Sequence, residues 1–253
     1  MERFCVSLDG QELPPGVTLR DVREEAPREY LCTLPRALGD GLRVGGRRRE
    51  SLSLCLLVTA EERRPEARAA LLQRLAGWAS GCRLALSTHP GQYLETVCTG
   101  LPASAALDWA ELLTLRFTAW DIPYWQEALE TTAALTHTAG AADGCTLRVP
   151  GTAETLLGFE ATAESALDSL AIDTGSDRML FHGLGLSAGE SLRLSRREGF
   201  LRLELVRGGQ TASAMHLRDA ASADELRLRP GRNTVTVSGD GCTLRLRARG
   251  RWL

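Results

Sequence analysis

Apolar and polar residues alternate in short runs along most of the chain, and a period of two marks strands with one buried face. Phe4, Val6 and Leu8 alternate with Cys5 and Ser7. Strand-like stretches follow at 17–22 and 30–34, punctuated by Asp9-Gly10 and Pro14-Pro15-Gly16. From Arg47 to Val58 a charged beginning runs into an apolar strand expected to enter the core. One helix is expected over 61–79, because Ala67, Leu71, Leu75 and Trp78 recur at helical spacing, flanked by Ala70 and Leu72. Thr59 and Glu62 have the form of a capping box, Pro65 lies in the first turns where proline costs least, and Gly81 closes the segment. Strands at 82–87 and 93–99 then flank Thr88-His89-Pro90-Gly91-Gln92, a turn whose Pro and Gly preset the dihedrals. Over 107–120 the register places Leu113, Leu115, Phe117 and Ala119 on one face and Thr114, Arg116 and Thr118 on the other.

Residues 127–144 are rich in Ala and Thr, show little periodicity and end in Ala-Gly-Ala-Ala-Asp-Gly, so a domain boundary is expected there. Beyond it, alternating segments at 147–149, 170–172, 179–181, 192–194, 201–205, 226–228, 235–237 and 244–246 are separated by Gly, Asp or Ser. Regular short strands at this spacing predict a sandwich or jelly roll. With 253 residues the chain exceeds the usual single-domain size. The fold class read from these patterns is mainly β. An α+β N-terminal domain (1–130) has one helix packed on a sheet, 131–144 is a linker, and 145–253 is an antiparallel β-sandwich.

Composition narrows the chemistry. All 30 basic residues are Arg, which removes Schiff-base chemistry and a P-loop lysine. Residues 1–130 carry 15 Arg against 18 acids and the remainder 15 Arg against 14, so neither half has the basic excess of a nucleic-acid binder. The first residues lack the apolar core of a secretory signal, and the longest apolar run, 52–58, is too short to span a bilayer. A cytoplasmic product with no membrane partner is the expectation. Seven dispersed Cys without a C-x-x-C pair read as free thiols, not as a zinc site or a disulfide framework.

Several motifs compete with plainer readings. Gly185-Leu-Ser-Ala-Gly189 matches the G-x-S-x-G turn of serine hydrolases, with His216 as the conceivable base, but Ser187 is followed by an alternating strand where an elbow needs a helix. A β-turn is the better reading. His89, His137, His182 and His216 are far apart and read as loop or surface residues. Glu24-Glu25 and Glu61-Glu62 read as solvated pairs, the latter at a helix N-terminus. Arg245, Arg247, Arg249 and Arg251 share one face of a strand, where cross-strand pairing with Glu outweighs an acidic partner surface. Arg47, Arg48 and Arg49 read as a contact. Trp109, Phe117, Trp120, Tyr124 and Trp125 crowd into seventeen positions, and this cluster reads equally as core or as interface.

The order of these elements, closing on Leu115-Arg-Phe-Thr-Ala-Trp-Asp-Ile-Pro-Tyr-Trp125, resembles the N-terminal domain of phage distal tail proteins. In that family the last strand ends in an aromatic, a small residue, an acid, then Pro and an aromatic. Leu226-Arg-Leu-Arg-Pro-Gly-Arg-Asn-Thr-Val-Thr-Val237 is similar to a strand, tight turn and strand of the family's C-terminal sandwich, and Arg249-Gly-Arg-Trp-Leu253 to its basic-aromatic close. The resemblance implies a non-enzymatic structural protein of a phage or prophage virion, assembled in the host cytoplasm and placed at the tail tip. It implies a homo-oligomeric ring, usually a hexamer, at the end of the tail tube. The partners implied are the tail tube protein, a tail-tip or tail-associated protein, and a receptor-binding protein or adhesin, so that the ring is the baseplate hub for host attachment. No cofactor, metal or catalytic residue is implied. The expected interface comprises Arg47, Arg48, Arg49, Trp120, Asp121, Pro123, Tyr124 and Trp125. A carbohydrate-binding, lectin-like module in the C-terminal sandwich is the alternative.

Overall fold

The computed structural model describes residues 5–35, 42–100, 103–106, 109–197 and 200–253, with the backbone alone for 26, 28–35, 42–48, 103–106, 197 and 200. Two compact units divide at Trp125 and Gln126.

In the first unit, β1 (Val6–Leu8) and β2 (Gln11–Glu12) form a hairpin over Asp9-Gly10. Both turn residues have positive φ, 51° and 78°, as a type I′ turn requires. A second turn, closed by Val17 N–H donating to Pro14 O at 3.0 Å, opens β3 (Val17–Pro35). β3 pairs antiparallel with β4 (Leu42–Glu61), so the two short strands expected at 17–22 and 30–34 are one, bent at several register shifts. After α1 (Pro65–Ala79) come β5 (Arg83–Leu86), β6 (Gln92–Glu95), β7 (Val97–Gly100), β8 (Ala103–Ala106) and β9 (Ala110–Ala119). One sheet runs β3-β4-β9-β7 with β8 also on β9, and β2, β1, β5 and β6 lie side by side in another.

Register makes the core of this unit. Leu52 pairs with Ala119, Leu54 with Phe117, Leu56 with Leu115 and Val58 with Leu113, and all eight are buried. Each large side chain so buried is worth about 1.5–3 kcal/mol of transfer free energy. The helix adds Leu71, Leu75 and Trp78. Trp78 meets Phe117 edge-on, 6.1 Å between centroids, and its indole N–H donates to Gln11 O at 2.9 Å. The capping box does not form. β4 runs on through Glu61 because Ala60 and Glu61 still pair with Glu111 and Ala110, so the helix begins only at Pro65, behind an extended Arg64. Glu62 accepts from the Arg64 N–H at 3.1 Å instead.

β10 (Trp125–Glu127) carries the chain into the second unit. There the expected linker 131–144 is instead β11 (Thr131–His137), a tight turn, and the start of β12 (Asp143–Val149). Alternation is present in β11, with Ala133 and Leu135 against the core and His137 fully buried, but small residues carry it weakly. Then follow β13 (Thr155–Ala163), β14 (Leu170–Asp173), β15 (Arg178–Phe181), β16 (Ser191–Arg197), β17 (Phe200–Arg207), β18 (Gln210–Ser213), β19 (Arg227–Leu228), β20 (Gly231–Gly239), β21 (Cys242–Ala248) and β22 (Arg251–Trp252). The expected β-sandwich is present: one sheet runs β11-β21-β13-β16-β17-β18, with β19 also on β13, and the other β12-β20-β14-β15. Leu157, Phe159, Phe181, Leu192, Val235 and Leu244 lie in the core between them. At 230–233 the turn is as expected: Gly231 has φ 97°, and the Asn233 side chain accepts from Arg229 N–H at 3.0 Å and donates to Arg229 O at 2.8 Å.

Candidate assembly surface

β9 sends its aromatic side chains to two destinations. Phe117, inside the strand, is fully buried, whereas Trp120, one residue past its end, is 65% exposed and Trp109, just before it, 49% exposed. Trp125 turns back inward. It is 1% exposed and stacks on His89, with centroids 4.0 Å apart and the rings 8° from parallel. His89 sits in the turn after β5, where His89-Pro90-Gly91-Gln92 closes through Gln92 N–H to His89 O at 3.1 Å and Gly91 has φ 75°. Burial lowers the pKa of this imidazole, only partly opposed by Glu24, and so favours the neutral ring that can stack.

Between the two tryptophans, Asp121 is exposed, Pro123 buried and Tyr124 half-buried. Arg49 reaches this loop from β4. Its Nη1 donates to Pro123 O at 3.3 Å, and its guanidinium lies over the Tyr124 ring, 4.9 Å from the centroid. The structure therefore joins Arg49, Pro123 and Tyr124 in one contact, with Trp120 and Asp121 outward on the same loop. Trp125 differs from the expected interface set in being core, since its ring is needed to cover His89. The side chains of Arg47 and Arg48 lie outside the described residues.

Trp120 also borders a groove of about 510 Å³ on the wet face of the larger sheet, lined further by Glu25, Glu50, Ser53, Arg116 and Thr118. Within it Arg116 donates to Glu25 at 2.6 Å, and the Ser53 and Thr118 hydroxyls are 3.1 Å apart. The Cys55 thiol donates to the same Glu25 at 3.4 Å. Burial first and the Glu25 carboxylate second push this thiol up, which keeps it protonated and unreactive. An exposed indole beside a polar groove is a surface able to seat another protein's side chains.

Other sequence candidates resolve as follows. Ser187 lies in a β-turn closed by Glu190 N–H to Ser187 O at 3.0 Å, its own N–H donates to the Glu190 carboxylate, and strand β16 follows where an elbow needs a helix. His137 corrects the surface reading: it is fully buried, with Nδ1 2.9 Å from Asp143 Oδ2 and Nε2 3.3 Å from Gly239 O. Of the four alternating arginines, Arg247 pairs across to Glu160 at 3.1 Å, as expected for cross-strand pairing. Arg249 donates to Glu127 O and Ala128 O, both at 2.8 Å, and pairs with Glu130. Phe159 and Phe181 pack edge-on in the core and Trp252 is half-buried, donating to Glu127, so these aromatics of the second unit are not laid out as a sugar platform.

An α+β unit with one helix, joined to a two-sheet sandwich, is an architecture shared with solved phage proteins. The chain superposes on the crystal structure of SPP1 Dit (gp 19.1), a hub adsorption apparatus protein of phages that infect Gram-positive bacteria. The TM-score is 0.69 and the identity 13%, over 100% of both chains. It also matches the phage P2 baseplate in its activated conformation with Ca, at TM-score 0.53 and 7% identity, covering 98% of this chain and 97% of that one. No family model matches the sequence, and no curated protein matches it.

Proposed function

We propose that this chain is a distal tail protein, the structural hub at the tail tip of a siphovirus-type phage or a phage-derived particle. The observation that carries the reading is that one superposition on SPP1 Dit spans the whole of both chains, α+β unit and sandwich together. In this role the first unit self-associates into a closed ring, six copies on the pattern that the sequence resemblance implies. A ring requires a heterologous interface repeated by rotation. The Arg49–Tyr124 contact and Trp120 supply one half of that interface. The ring caps the tail tube, and the second unit faces the tail-tip protein and the receptor-binding protein or adhesin. The chain does no chemistry of its own: the turn at Ser187 serves the sandwich, and the work is holding other proteins in register. It is assembled in the host cytoplasm and carried into the virion.

Immunogold labelling of purified tails with antibodies to this chain tests the placement. Gold confined to the distal tip is expected. Gold along the tube, at the head end or on no particle would overturn the proposal.

A further inference from the structure

The wet face of the larger sheet in the second unit carries charges in ordered rows. Register places Arg245 beside Glu160, Glu160 beside Arg193, and Arg193 beside Glu204, one residue from each of β21, β13, β16 and β17. The next row brings in Arg247 and Arg202. Together they line a shallow cavity of about 410 Å³. Among the described residues lining it, four are arginines and two are glutamates.

Glu160 shows what this cavity holds well. Its two oxygens accept from Arg193 Nη2 at 2.7 Å and from Arg247 Nη2 at 3.1 Å, so a single carboxylate bridges two guanidinium forks. Donors are left over. Arg193 Nε is buried without a hydrogen-bond partner among the described residues, and the exposed Arg245 makes no hydrogen bond there either, although its field reaches Glu160. That Nε is closed to solvent, but the Arg193 side chain is 38% exposed, so an incoming carboxylate meets its outer nitrogens and the Arg245 fork.

We infer that this face is a docking site for an acidic segment of another protein, whose carboxylates bind at Arg245 and Arg193 on either side of Glu160. Charge complementarity selects the occupant. A uniform polyanion such as nucleic acid or polyphosphate would have to lie over Glu160 and Glu204, and like charge repels it. A polypeptide with carboxylates spaced by small polar residues puts negative charge on the arginines and leaves neutral groups over the glutamates. Arginine suits this task because its planar fork matches a carboxylate and stays charged at every physiological pH. The inference rests on the cavity alone and stands whether or not the chain forms a ring.

The test uses the full chain and a dye-labelled peptide in which three glutamates alternate with serine and threonine, read by fluorescence anisotropy. Binding is expected at ~25 mM salt and should fall steeply towards ~300 mM, as screening shortens the reach of the charges. The double variant R193Q/R245Q should weaken it at least tenfold. R148Q/R232Q, on paired and exposed strand positions of the opposite sheet, should leave it unchanged. E160Q should tighten binding, since it removes the carboxylate already occupying Arg193 and Arg247; damage to the fold would act in the opposite direction. No binding at low salt, equal loss in R148Q/R232Q, weaker binding in E160Q, or equally tight binding of inorganic polyphosphate would each overturn the inference.

Discussion

Trp120 and Trp125 stand five positions apart, one after the end of β9 and one at the start of β10, and have opposite surroundings that only the fold distinguishes. Trp125 is 1% exposed and stacked on His89, so Trp125→Ala should cost about 3–5 kcal/mol in urea denaturation, the usual range for removing a buried aromatic. Trp120→Ala should change stability by no more than about 0.5 kcal/mol while weakening self-association, measured by light scattering after size exclusion. Equal stability losses in the two variants would contradict the assignment of one ring to the core and the other to an interface. His89 adds a pH dependence whose sign follows from its lowered pKa. The unfolded chain takes up the proton first as pH falls below about 6.5. The contribution of the neutral ring is therefore full above that pH and is lost as pH falls towards the lower folded value. His89→Phe should remove this slope between pH 7.5 and 5.5. It should spare the acid loss further down, where Asp177 is held below the usual carboxylate range, chiefly by its hydrogen bonds from Arg227. That second contribution is present above the ordinary carboxylate pKa near 3.8 and disappears as pH falls through the folded value.

Among the elements, those with large apolar residues in strict alternation were legible from sequence. β9 is the clearest, with Leu113, Leu115, Phe117 and Ala119 inward as their spacing required. The helix was legible as well, from the stripe of Leu71, Leu75 and Trp78. Its start was not, because a local capping pattern competed with strand pairing from Glu111, and a partner fifty residues away is invisible to local reading. β11 was hidden because Ala and Thr carry its alternation. β13 was passed over although Leu157, Phe159 and Ala161, in the middle of the sandwich, alternate with Gly158, Glu160 and Thr162 on the opposite face; Gly158 and the small Ala161 and Ala163 weaken the pattern. The stacking of His89 on Trp125 joins a turn to the start of β10, 36 positions away, and left no pattern in the sequence. Gly81 was read as a helix terminator; its role is different. Ser80 ends the helix with ordinary helical dihedrals, and a Cβ on Gly81 would lie 2.6 Å from Asp9 Oδ2 and 2.8 Å from Leu8 Cγ. That carboxylate accepts from the Cys82 and Arg83 N–H groups, both at 3.0 Å, and so ties the β1 turn to β5. Gly81→Ala should therefore destabilise the first unit by about 1–3 kcal/mol, where an ordinary helix-end substitution would cost a few tenths. Thermal denaturation of the variant checks this.

At the scale of the whole molecule, the resemblance to phage distal tail proteins was legible only through the order of elements. Short motifs such as Asp121-Ile-Pro-Tyr-Trp125 are degenerate, and the pattern that placed this one after a helix and a hairpin gave it meaning. The fold agrees with that order over the full length of SPP1 Dit despite 13% identity, since buried alternation and turn geometry constrain a fold far more than they constrain residue identity. Surface chemistry was less legible. The alternating arginines at 245–251 read as one row, but the structure assigns Arg245 and Arg247 to a charged face and Arg249 to the chain segment at Glu127 to Glu130. The hub role proposed would use such surfaces separately, some for copies of the chain and some for other partners.

Mass measurement of the intact chain tests the central claim most directly. Native mass spectrometry or mass photometry, over rising concentration and with the tail tube protein added, should show a closed assembly of about 164 kDa, six copies of the 27.4-kDa chain, with no open-ended ladder above it. Trp120→Ala should shift the population towards monomer. A chain that stays monomeric throughout, alone and with the tube protein, or that grows into filaments without closing, would contradict the account.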